Sequence, residues 1–209
     1  NIAPTGVRYV PSPKEKQNIL SSVDLAVAEL ASPRWAKQEV DLRSVTRRKQ
    51  DEILKAAERL NVNLRGNDIE QIITGGTNVH GMGDMVCDTD GGPNILIDIK
   101  SKLLTRHSAP KGYNIDKLLA ALSDGRTVVG FFLVGIDPQK KAVDGRLVSI
   151  FDASILPCTR IQFHWAGRNS RGVTQLVGSY GDVLLSTFKP RIDAAAAMKF
   201  LKQLLEIGE

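Results

Sequence analysis

The sequence predicts an α/β protein: a mixed central sheet flanked by helices, preceded by an N-terminal helical arm. Three observations carry that prediction. Residues 81–100 read as a β-hairpin, because two apolar-rich runs flank Asp90-Gly91-Gly92-Pro93-Asn94, a stretch made almost wholly of turn-formers. A polar loop, a helix capped by Asn114 and ending near Gly125, and the apolar run Val128–Val134 follow. Strand, helix, buried strand is a right-handed parallel crossover. Upstream, residues 1–62 carry helical periodicity instead of alternation.

The elements of that arm have their own signals. Ser12-Pro13-Lys14-Glu15 places a capping serine, a proline at the first helical position and a glutamate three residues after the cap. Ile19, Leu20, Val23, Val27 and Leu30 then recur at helical spacing, and Ser32-Pro33 interrupts. A second helix is predicted over 42–60, with Val45, Ile53, Leu54, Ala57 and Leu60 on one face and Arg43, Arg47, Arg48 and Lys49 on the other. That basic face is either a solvated surface, a phosphate contact or a dimer interface. Asn67-Asp68 opens a short helix through Ile73, stopped by Gly75-Gly76. Beyond the crossover, Arg146–Phe151 reads as a strand after a loop over 140–145. A closing amphipathic helix runs from Asp193 to Ile207.

The hairpin is also where the chemistry concentrates. Asp98 and Lys100 share one face of a strand, since side chains alternate. With the turn near Gly91 or Gly92, residue pairs sum to about 182 or 184, so Asp84 faces Asp98 or Lys100, about 5 Å away at Cβ. Asp88 lies four residues further along, roughly 13 Å off, and reads as a solubilising charge at the hairpin end. Two carboxylates and an ammonium on a half-buried strand pair cost desolvation energy that a plain core would not spend. A carboxylate pair suited to a hard divalent cation, beside an ammonium, is what phosphodiester hydrolysis requires.

Asp84, thirteen residues, then Asp98-Ile99-Lys100 resembles the PD-(D/E)xK nuclease motif, with Gly83 where that family usually has proline. The resemblance covers about residues 66–136, and within the superfamily a type II restriction endonuclease is the most similar member. It implies a restriction-endonuclease-like sheet over residues 63–209, an Mg²⁺-dependent double-stranded DNA endonuclease, and a metal bound by Asp84, Asp98 and the Ile99 carbonyl. Lys100 would act on the water and the transition state. In that family a helix at this position often supplies one more acid to the metal site, and Glu70 matches that place; it reads equally well as an ordinary exposed helix glutamate. Repair nucleases, junction resolvases and transposon end-cleaving subunits share the motif. A non-catalytic DNA-binding module is the alternative from another class.

Composition agrees. The chain of 209 residues carries a net charge of +5 and a pI near 9.3, which favours an anionic partner. Between Pro157 and Arg191 stand five Lys/Arg against one acid, Asp182. Arg160, Gln162 and His164 alternate along a strand, and Arg168, Asn169 and Arg171 sit in a loop bounded by Gly167 and Gly172. Arginine suits guanine and Asn or Gln suits adenine, so 157–181 is the expected DNA-reading segment, with Lys111 as a further contact. Phosphate gripping without base reading is the other use of such a surface. A palindromic target implies a homodimer, with the helical arm as interface or DNA contact. No apolar stretch approaches the ~18 residues of a membrane span. The widely separated Cys87 and Cys158 lack metal-ligand spacing, so a cytoplasmic setting is expected. The glycines at 75, 76, 81 and 83 fit neither a P-loop nor a dinucleotide fingerprint.

Overall fold

The computed structural model describes residues 9–59, 66–76, 84–87, 91–105, 111–164, 173–178 and 189–207. Helix α1 spans Pro13–Leu30 and opens with the expected reciprocal cap: Ser12 Oγ accepts from Glu15 N at 3.3 Å, and Ser12 N donates to Glu15 Oε2 at 2.7 Å. The second helix starts earlier than 42. Helix α2 spans Pro33–Arg48, and α3 spans Gln50–Arg59. Ser32-Pro33 is a start as well as a stop, because Ser32 Oγ accepts from Arg34 N at 3.2 Å and Pro33 needs no N–H partner at the first helical position. Lys49 leaves helical geometry at φ −102°, ψ 14°, yet the bonds Lys49 N to Val45 O and Ile53 N to Lys49 O run through the junction. The two helices are separated by one residue out of helical geometry. Helix α4, Gly66–Thr74, ends as expected, with Gly75 and Gly76 at positive φ and Gly76 N donating to Gln71 O at 3.2 Å.

A four-stranded mixed sheet follows in the order β1-β2-β4-β5, formed by Met85–Cys87, Asn94–Leu103, Thr127–Asp137 and Ala142–Ser149. The hairpin register pairs Met85 with Ile97 and Cys87 with Ile95, which is the 182 alternative. Strands β2 and β4 are parallel, joined through α5 (Ile115–Leu122), whose N-cap Asn114 accepts from Lys117 N at 3.1 Å. Strand β4 is buried from Thr127 to Ile136, as a strand covered on both faces must be. Strand β5 starts at Ala142, not Arg146, so residues 142–145 are strand where a loop was expected. Val143 and Gly145 face inward around exposed Asp144, and a Cβ at Gly145 would strike the Phe132 ring. That close approach selects glycine in a position that sequence alone reads as a turn.

Lys111–Asn114 also forms a strand, β3, in place of the expected loop. It joins β6 (Thr159–His164) and β7 (Val173–Gly178) in a second sheet ordered β3-β7-β6. The anchor is Tyr113: its ring stacks on Phe131 with centroids 4.9 Å apart, and its hydroxyl donates to Gly130 O at 2.6 Å. Helix α6, Ala194–Ile207, starts at Asp193, whose carboxylate accepts from Ala195 N and Ala196 N, and packs on α1.

The helices of residues 1–62 and the sheets share one core. Ile19, Val23, Trp35, Leu42 and Ile53 lie in the same cluster as Ile95, Ile97, Ile99, Phe131 and Phe132. Each such side chain stabilises the fold by about 1.5–3 kcal/mol when fully buried. Trp35 lies over Gly130, so α2 covers the sheet face of Ile95, Ile97 and Ile99. Asp98 and Phe131 share the opposite face. Among the described residues no helix is long and apolar enough to cross a membrane.

Candidate active site

The site lies where β1 stops and β2 continues. Asp84 N donates to Ile97 O at 2.9 Å, tying the start of β1 to β2. One residue pair further on, the Asp84 side chain takes over: Oδ2 accepts from Ile99 N at 2.6 Å. A carboxylate thus takes the Ile99 N–H, and its direction is fixed by a backbone group in the middle of the sheet. Successive residues of a strand point their N–H and C=O to alternate edges. The Ile99 carbonyl therefore faces the same way as its N–H, towards Asp84.

Asp98 lies next to Ile97, the partner of Met85, and beside Phe131 on β4, so one residue beyond the printed pairing it comes alongside Asp84. Lys100 Nζ lies 2.7 Å from Asp98 Oδ2, and the two side chains are only 21% and 12% exposed. Burial raises the Asp98 carboxyl to about 6; Lys100 opposes that rise and Asp84 adds to it. Burial also pulls the Lys100 ammonium down, but attraction to Asp98, Glu70 and Asp84 outweighs it, and the net shift is upward.

Glu70 completes the group. It is half-buried on α4, and burial with Asp84 beside it raises its carboxyl to about 7, against the pull of Lys100. The reading of Glu70 as an ordinary exposed helix residue is therefore corrected. Ile69 and Ile73, buried to 0% and 6% exposure, anchor α4 against the core beside β2. Lys49 Nζ donates to Ile72 O at 2.6 Å, placing a cation on the carbonyl end of the same helix. Neither Lys49 nor Phe131 was identified from sequence as supporting this site. The signal for Phe131 lay in the parallel register, which sequence does not supply, and Lys49 looked like one more surface cation.

Two carboxylates and one backbone carbonyl are hard oxygen donors, and a small divalent ion that keeps most of its waters needs no more. The donor set fits Mg²⁺. Among the described residues no three His, Cys, Asp or Glu side chains converge as a metal-holding group. Glu70 is coupled electrostatically to both aspartates, Asp84 more strongly than Asp98.

The residues expected to contact DNA are distributed differently. Arg160 and Gln162 are exposed on β6. Lys111 on β3 and Arg160 on β6 both pair with Val177 of β7, so the backbone register sets them in one row across the second sheet. His164 closes β6. Arg168, Asn169 and Arg171 lie outside the described residues, as do Asp88 and Asp90. Tyr113 fastens this sheet to Phe131, on the face that carries Asp98.

No protein-family model, curated protein or solved structure matches the chain.

Proposed function

We propose that this chain is an Mg²⁺-dependent endonuclease that hydrolyses phosphodiester bonds of double-stranded DNA. The observation that carries the reading is the convergence of Glu70, Asp84, Asp98 and Lys100 at the end of β1, with Asp84 Oδ2 held by Ile99 N. Four ionisable groups in a half-buried cluster are costly to a fold and gain nothing for packing. Their chemistry matches phosphoryl hydrolysis, and their sequence pattern resembles PD-(D/E)xK.

Asp84, Asp98 and the Ile99 carbonyl would hold the ion. When bound, Mg²⁺ supplies charge neutralisation at phosphate and a more acidic water. Lys100 donates hydrogen bonds to the attacking water or to a phosphate oxygen and offsets developing negative charge. Glu70, titrating near neutrality, holds or releases a proton beside that water. Asp84 keeps its aim because its partner is main chain. No covalent intermediate is required.

Site-specific restriction by a homodimer is the finer part of the proposal. Arg160 and Gln162 offer donors suited to base edges on a sheet anchored to the catalytic face. The test is digestion of a plasmid with Mg²⁺: discrete fragments are expected from wild type and none from Asp98→Ala. A smear would replace site-specific restriction with a less selective nuclease. Intact plasmid with wild type under all divalent ions would overturn the enzymatic reading in favour of a DNA-binding module.

A further inference from the structure

The Asp98–Lys100 contact has a consequence for ion binding. Lys100 Nζ sits 2.7 Å from Asp98 Oδ2, and both side chains are largely withdrawn from water. A divalent cation on Asp98 would stand within a few ångströms of that ammonium. Like charges at such a distance repel strongly wherever the effective dielectric is well below that of water. The two cations therefore compete for one carboxylate.

Only one of the competitors is tethered flexibly. The Lys100 backbone is fixed by its pairing with Leu133 in the centre of the sheet. Its four-carbon stem can swing the ammonium away without moving β2. Asp84 has no such freedom, since Ile99 N pins its Oδ2. The rigid aspartate pre-forms half of the ion site, and the lysine closes the other half.

We propose that Lys100 is a built-in counter-ion that a divalent cation must displace from Asp98, so that Lys100 sets the ion affinity of the site and its ammonium is released towards an anionic substrate when the ion binds. The proposal rests on the metal-dependent reading above. It makes cation and phosphate binding mutually reinforcing, because the first frees the group that attracts the second.

The experiment is calorimetric titration of Ca²⁺ into the full chain at pH 9, above the values to which Asp98 and Glu70 are raised, for wild type, Lys100→Gln, Lys100→Met and Asp98→Asn. Circular dichroism first establishes that each variant is folded. Both lysine variants are expected to bind Ca²⁺ at least about ten-fold more tightly than wild type, and Asp98→Asn to lose binding. Wild-type binding with unchanged or weaker affinity in the folded lysine variants would overturn the counter-ion role and leave the ion site standing. Absence of binding in wild type and in both lysine variants would overturn the ion site and this inference together. Should one lysine variant fail to fold, the other gives the answer, since glutamine keeps a hydrogen-bond donor and methionine keeps the stem.

Discussion

Two carboxylate–cation pairs on one sheet show how far environment outweighs chemistry. Asp98–Lys100 on β2 and Asp144–Arg43, which joins β5 to α2, have contact distances of 2.7 and 2.9 Å. Their carboxyls shift in opposite directions. Burial pulls Asp144 upward, but two bonds from the Arg43 guanidinium and one from Gly145 N outweigh it, and the net shift is down. Asp98 has one ammonium, an aspartate opposite and 12% exposure, and it rises to about 6. The Asp144–Arg43 pair is relaxed and clamps the edge of the sheet, where Glu39 also accepts from Leu147 N at 2.9 Å. The Asp98–Lys100 pair is strained, as groups held ready for chemistry commonly are.

The largest expected effect separates the pairs by activity. Asp98→Ala and Lys100→Ala should each lower Mg²⁺-dependent plasmid cleavage by about 10²–10³ or more, the scale of losing one transition-state contact. Asp144→Ala and Arg43→Ala should cleave within about two-fold of wild type, because exposed ion pairs contribute little. Equal losses in both pairs would erase the distinction between them.

Denaturant unfolding against pH should then show opposite slopes. Asp98 binds its proton more tightly folded than unfolded. Its contribution to stability is therefore greatest below about pH 4 and is lost as pH rises through about 6, by about 2–3 kcal/mol. Glu70 extends the decline to about pH 7. Asp98→Asn should flatten this fall and be the more stable protein at pH 8. Asp144 behaves conversely: its depressed carboxyl adds stability above the ordinary aspartate range, lost on acidification, and at 56% exposure this amounts to about 0.5–1 kcal/mol. A wild-type curve that rises steadily from pH 4 to 7 would contradict the strain assigned to Asp98.

Glu70→Gln sharpens the comparison further. It removes an acid coupled to both aspartates, so turnover should fall by about ten-fold while Ca²⁺ affinity changes less than in Asp98→Asn. An ion affinity abolished as completely as in Asp98→Asn would make Glu70 a ligand. The smallest effect belongs to Arg160→Ala on β6. Binding to duplex DNA should weaken by about 1–3 kcal/mol with relaxed preference at one base pair if Arg160 reads a base. Uniform weakening on every sequence, with a salt slope lower by about one, would assign it to phosphate.

Much of this was legible before any coordinates. Ser12-Pro13-Lys14-Glu15, Asn114 and Gly75-Gly76 act through their own backbones, so their helix ends could be read locally. The hairpin brought Asp84 opposite Asp98 because alternation and a short turn leave few registers. Ser32-Pro33 was half read, as a stop without its start. β3 was missed because four residues containing Gly112, with a register shift against β7, carry no periodicity; pairing with β7, more than sixty residues later in the chain, makes them a strand.

Sequence by itself determined which residues were available at the site, since types and spacing along two strands are properties of the chain. Tertiary structure decided their state. Whether Glu70 is an idle surface acid or a proton carrier near pH 7 depends on α4 being pressed against β2 by Ile69 and Ile73, which withdraws its carboxyl from water and sets it beside Asp84. Whether Asp98 is strained or relaxed depends on Phe131 and Lys100 closing around it. Desolvation and Coulomb energy are set by distances between groups far apart in the chain, and only the packed fold fixes those distances.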